Sequence, residues 1–154
     1  MNKKIKILGG IITVLVLFSP LLVNYYFKYK ENNFSCRGKM NVTKSGAEYS
    51  SSMEFNFKDG KGKFYSIGQF SDADNKNKKV IIHFNFTYLY HNKNDVVLVS
   101  SEGIKNSELV ALLSPLLPDF FLTKQRGIIF EIHRQDSNYV FINDNMPYLL
   151  CSKK

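Results

Sequence analysis

The sequence predicts a mainly β protein: an N-terminal transmembrane helix, then a small antiparallel β-barrel or sandwich of about eight strands with one short helix. Three observations carry that prediction. The run Ile7 to Phe27 contains no Asp, Glu, Lys, Arg or His. From Phe34 onward, apolar and polar residues alternate in short segments separated by turn residues. Two cysteines, Cys36 and Cys151, bracket the alternating region. Composition leans the same way, because the chain holds 13 Phe and 9 Tyr, residues that pack well on a pleated surface.

The apolar run comes first in the chain. As a helix its length is about 31 Å, close to the hydrocarbon thickness of a bilayer. A cleaved signal peptide fits less well, since the stretch is long, ends in Val23-Asn24-Tyr25-Tyr26-Phe27 and is followed by no A-x-A pattern. A lipoprotein would need Cys36, but Asn33-Phe34-Ser35 is a poor lipobox and lies far from the apolar run. Lys3, Lys4 and Lys6 precede the run, and Lys28 and Lys30, offset in part by Glu31, follow it. That bias puts the N-terminus in the cytoplasm and the rest outside. Tyr25, Tyr26 and Tyr29 suit the outer interface. Gly9, Gly10 and Thr13 are small enough for a partner helix to approach, and Pro20 is a candidate kink. The expected layout is a cytoplasmic tail (1–6), a transmembrane helix (7–27), a linker (28–33) and an exported β-domain (34–154).

Within that domain, Phe34, Cys36, Gly38, Met40 and Val42 share one strand face. Lys44-Ser45-Gly46 turns the chain into a second strand, where Tyr49, Ser51, Met53, Phe55 and Phe57 align. Asp59-Gly60 is a strong hairpin signal, because both positions tolerate positive φ. Lys61 to Ser71 forms the third strand, and Asp72 to Lys78 a polar loop. In the fourth, Val80, Ile82, Phe84, Phe86, Tyr88 and Tyr90 make a continuous apolar face. His91 to Asp95 turns into Val96 to Ser100. A short helix follows, capped by Ser107 and stopped by Pro115 and Pro118. Gly127 to Arg134, Tyr139 to Asn143 and Pro147 to Ser152 are the last strands, joined at Gln135 to Asn138 and at Asp144-Asn145.

The cysteines read as a structural disulfide. Outside the cytoplasm oxidation is expected, no C-x-x-C spacing exists, and His83, His91 and His133 lie far from both in sequence. The bond requires the first and last strands to be neighbours or to face each other across the core. Residues 28–154 carry 18 Lys+Arg against 13 Asp+Glu, a net +5 without a run of five like charges. This reads as a solvated surface rather than a nucleic-acid or lipid patch.

Catalytic signatures do not emerge. The chain has no P-loop, G-x-S-x-G, H-E-x-x-H or dinucleotide glycine pattern, and Gly60-Lys61-Gly62 is a hairpin corner. The expectation is a protein without catalytic residue, cofactor or metal, each histidine being an isolated exposed one. Asn41-Val42-Thr43 and Asn85-Phe86-Thr87 match glycosylation sequons, which matter only in a eukaryotic secretory route. The segment Leu116 to Leu122 stands outside the alternation. One reading is a plug closing a barrel end. The other is a contact or gating segment in which Pro118, Asp119, Phe120 and Phe121 meet a partner, or, with Phe84, Phe86 and Tyr88, an apolar ligand.

The lysine-led anchor, Phe34-Ser35-Cys36, Leu117-Pro118-Asp119-Phe120-Phe121-Leu122, Arg126-Gly127, Tyr139-Val140-Phe141 and the late Cys151 together resemble the FidL-like membrane proteins of enteric bacteria. The resemblance covers essentially the whole chain. It implies a single-pass inner-membrane protein with a periplasmic β-domain, similar in layout to the accessory partners of ToxR-like membrane-tethered regulators. It also implies a supporting contact with the regulator's periplasmic part. The alternative is a stand-alone binding module for an apolar ligand such as a bile salt or lipid. Direct binding of nucleic acid is not expected, because the chain has no DNA-binding domain.

Overall fold

The computed structural model describes residues 3–72 and 77–154, and of residues 3–14, 28 and 31 it describes the backbone alone. The chain divides into two units, the first ending at Asn33 and the second spanning Phe34–Lys154.

The first unit is one helix, α1 (Lys3–Asn32), which continues through Pro20. It runs to Asn32 and so takes in all but the last residue of the 28–33 segment expected as a linker, because Leu21 to Asn32 contain neither Gly nor Pro to stop it. The Asn33 side-chain amide donates to the Tyr29 carbonyl at 2.9 Å, satisfying an end group of the last turn. Leu15, Leu17, Phe18, Leu21, Leu22 and Val23 are all more than half exposed. No helix among the described residues is long and apolar enough to cross a membrane. The opening part of the Ile7–Phe27 run, with Gly9, Gly10 and Thr13, lies outside the residues whose side chains are described.

The second unit is a closed eight-stranded barrel in which every strand pairs with its sequence neighbours and the last returns to the first. The strands are β1 (Phe34–Lys44), β2 (Ala47–Lys58), β3 (Lys61–Ser71), β4 (Asn77–Tyr90), β5 (Asp95–Ser100), β6 (Gly127–Gln135), β7 (Asn138–Asn143) and β8 (Met146–Lys153). All pairings are antiparallel. Of the two architectures the sequence allows, the barrel is the one formed. Asn77 and Lys78, expected in a loop, extend β4; the middle of that loop, 73–76, lies outside the described residues.

Turn chemistry fixes the register. Ser45-Gly46, Asp59-Gly60 and Asp144-Asn145 each place both central residues at positive φ, the backbone of a two-residue hairpin turn. The side-chain period of two then sends Phe55, Phe57, Phe64, Phe84, Phe86, Phe130 and Phe141 inward, all buried. Gly62 in β3 makes room for this packing: a Cβ there would lie 2.1 Å from Phe86 Cζ.

Between β5 and β6 sit α2 (Ser107–Leu113) and a 3₁₀ turn over Asp119–Phe121. The helix cap is Asn106 rather than Ser107: its backbone is extended and its side-chain oxygen accepts from Leu109 N–H at 3.2 Å, making Ser107 the first helical residue.

Candidate functional site

The β5–β6 connection is the least regular part of the barrel, and it folds inward. Leu113, Leu116, Leu117, Phe120, Phe121 and Leu122 are all buried in the same core as the strand side chains. Its entry and exit are tied together. Buried Ser100 donates from Oγ to the Thr123 carbonyl at 2.7 Å and accepts from Arg126 N–H at 3.1 Å, and Ile104 N–H donates to the Leu122 carbonyl at 2.8 Å. Lys78 on β4 reaches Glu108 on α2 at 3.1 Å, an exposed pair of small energetic weight.

The structure brings most of the residues singled out in the sequence into one aromatic cluster. Phe120 lies 5.3 Å from Phe84 and 6.1 Å from Phe86, and Phe121 lies 5.0 Å from both Phe64 and Phe120, centroid to centroid. Phe86 packs on Tyr88 at 6.3 Å. Phe121 stacks on Tyr148 of β8 with planes 5° apart. Phe120 and Phe121, expected as partner contacts, are each 1% exposed and so are not offered to a protein surface. Their burial has a physical cause: two adjacent rings on a tight 3₁₀ turn pack among the strand aromatics Phe55, Phe64, Phe84 and Phe86. Pro118 is half-buried and Asp119 exposed, its carbonyl accepting from Leu122, Thr123 and the Thr123 hydroxyl. The segment is therefore a plug, and Phe84 and Phe86 line it through Phe120, while Tyr88 packs on Phe57, Phe86 and Tyr90.

Polar groups inside the barrel are few. Tyr49 and Ser66 hydroxyls lie 3.2 Å apart. Ser51 Oγ and the Tyr148 hydroxyl are buried with no hydrogen-bond partner among the described residues. Burial pushes the Tyr148 phenol far above its ordinary range, with the neighbouring Tyr49 adding to the effect. Among the described residues no group of His, Cys, Asp and Glu is placed to hold a metal. His133 is not isolated as expected, since its Nε2 lies 2.6 Å from Glu131 Oε1 on the same strand.

Cys36 and Cys151 form a disulfide with Cα atoms 5.4 Å apart, closing 115 residues of sequence. It sits on the seam between β1 and β8, which is short: only Cys36, Arg37 and Gly38 pair, with Lys153, Ser152 and Cys151. Two features of β8 end the pairing. Asn143 and Met146 flank a two-residue turn, so they exchange hydrogen bonds, and the nitrogen of Pro147 must face away from β7. Pro147 therefore offers no donor on the β1 side. A register shift between Phe141 and Ile142 opposite Leu149 and Pro147 leaves Tyr148 as a bulge. Sequence reading places the disulfide and misses the short seam, although a proline inside an alternating strand is the signal for it.

The family model describing the YqeJ C-terminal domain matches residues 24–151. Neither the curated proteins nor the solved structures include a match.

Proposed function

Because the chain belongs to the YqeJ C-terminal domain family, we propose that it is a membrane-anchored accessory protein without catalytic activity, whose exported barrel binds and supports the periplasmic part of a ToxR-like membrane-tethered regulator. The observation that carries the reading is the pairing of two unlike parts. One is a 30-residue helix with large apolar side chains exposed along its described length. The other is a domain closed by a disulfide. A helix that exposes Leu15, Leu17, Phe18, Leu21, Leu22 and Val23 suits a bilayer, and a disulfide across 115 residues suits an oxidising compartment. Together they favour a bacterial inner-membrane anchor with its N-terminus in the cytoplasm and residues 34–154 in the periplasm. The resemblance to FidL-like proteins belongs to the same reading.

The filled barrel favours a protein partner over an apolar ligand. A bile salt or lipid among Phe84, Phe86 and Tyr88 would have to displace Phe120, which packs on Phe84 and Phe86 and is backed by Phe121. Support of a regulator would act by mass action: binding only its folded form shifts its folding equilibrium. The test is a deletion strain in which the regulator's steady-state level and target transcription are measured, alongside co-purification of the intact membrane protein. A lowered level and a co-purifying membrane regulator are expected. Unchanged level, unchanged transcription and no co-purifying regulator would refute the proposal.

A further inference from the structure

The closed barrel has an open place, and it lies on β1. Lys44 and Ala47 flank a two-residue turn and exchange hydrogen bonds, so the even-numbered residues of β1 bond to β2. The odd-numbered residues turn their N–H and C=O groups the other way, toward β8. Arg37 finds Ser152 there, but the pairing ends at Gly38. Asn41 and Thr43 therefore present backbone donors and acceptors that no strand of the barrel takes up, and no other backbone partner for them exists among the described residues. Unpaired strand edges are templates for another chain.

Charge selects what fits. Two surface grooves meet at Lys39. One, of about 450 Å³, is lined by Arg37, Lys39, Lys153 and Lys154. The other, of about 670 Å³, is lined by Lys39, Lys79, Ser50 and Gln69. Glu54 is the carboxylate beside the first groove, and it is already held by Arg37 at 2.7 Å and Lys154 at 2.9 Å. Lys39, Lys79 and Lys153 have no carboxylate within ion-pair distance among the described residues. On the inner side of the same strand, Met40 is buried and Val42 only partly so. A second copy of β1 would bring Lys39 and Lys44 against a like-charged edge, which disfavours self-pairing.

We propose that the Lys39–Lys44 edge of β1 receives an extended segment of another protein, with acidic side chains on the outer face beside Lys39 and Lys153 and apolar side chains alternating inward over Met40 and Val42. The inference rests on the accessory reading for its biological setting, but the edge itself does not depend on which protein supplies the segment.

The experiment uses the full chain in detergent and two labelled synthetic peptides, one alternating Val and Glu, the other alternating Val and Lys, followed by fluorescence anisotropy. Saturable binding of the Val-Glu peptide is expected, weakening at least tenfold for the Val-Lys peptide, for Lys39→Glu with Lys153→Glu, and for Asn41→Pro. Asn41→Pro removes an N–H that no strand takes up and one exposed side-chain hydrogen bond, from Ser50 Oγ to Asn41 Oδ1 at 2.7 Å, so thermal unfolding of that variant should stay close to wild type, and Thr43→Pro serves if it does not. No binding of the Val-Glu peptide, or binding that neither proline variant changes, overturns the edge. In cells the two proposals separate. A regulator that still co-purifies with both proline variants removes the edge and leaves the accessory role intact, whereas absence of a regulator with the wild-type chain removes the role itself.

Discussion

Replacing Cys36 and Cys151 by serine should destabilise the barrel about as much as the costliest single core change, and through the unfolded state. The bond closes 115 residues, and the chain-entropy relation gives about 4.8 kcal/mol at room temperature for a loop of that size. For a domain of about 120 residues, unfolding entropy near the midpoint is roughly 0.25 kcal/mol/K, so the midpoint should fall by about 19 °C. The seam adds a native-state argument: β1 and β8 share three residue pairs, few hydrogen bonds to hold the barrel shut once the covalent link is gone. The assay is thermal unfolding of the full chain in detergent, followed by circular dichroism in the β region. Wild type with and without reductant and the double serine variant would be compared. Hydrogen exchange on Cys36 to Gly38 and Cys151 to Lys153 should rise before the other strands. A midpoint drop under about 5 °C would refute the loop-entropy reasoning, and unchanged exchange at the seam would refute its weakness.

Phe121→Ala should cost about 3–5 kcal/mol, because the ring is fully enclosed among Phe55, Phe64, Phe120 and Tyr148. Denaturant titration measures it, and a loss under about 1 kcal/mol would mean that the plug collapses readily or is not packed. Tyr148→Phe removes a buried hydroxyl without a partner and should raise stability by about 1 kcal/mol; a clear loss would reveal a bond to that hydroxyl. The folded-state phenol is held above its unfolded value near 10, so its contribution is complete below that pH and lost as pH rises through it, and Tyr148→Phe should soften the alkaline fall in stability. Glu54 behaves in the opposite sense: hydrogen bonds from Arg37 and then Lys154 hold its carboxyl below its ordinary 4.5. Its stabilisation is present above that value and disappears as pH falls below it, so Glu54→Gln should flatten the acid limb in melting curves taken between neutral and strongly acidic pH.

Most of the barrel was legible because its signals are local. Period-two patterning and three turns demanding positive φ mark β1, β2, β3, β7 and β8 almost to the residue. The end of α1 was not legible, since nothing between Phe27 and Asn32 distinguishes a continuing helix from a polar tether. The fate of Phe120 and Phe121 was ambiguous for a different reason: an apolar segment flanked by prolines reads the same whether it fills a barrel or meets a partner, and only the volume left by the surrounding strands decides. The open edge of β1 was hidden because it depends on β8, more than a hundred residues away, where Pro147 and the bulge at Tyr148 end the seam. Its grooves combine Arg37 and Lys39 with Lys79, Lys153 and Lys154, positions that no sequence window contains together.

The sulfur bridge also governs how the domain would carry mechanical load. Cys36 follows the helix end by only four positions, and Cys151 is three residues from Lys154. Tension between the helix and the final residue therefore passes across one covalent link instead of through eight strands. With the link intact, pulling from those two points frees only the short flanks. Without it, the 115 residues between the sulfurs become extensible, a slack of roughly 400 Å at full reach. A barrel wired in this way would keep its surface in place under a pull applied at those two points.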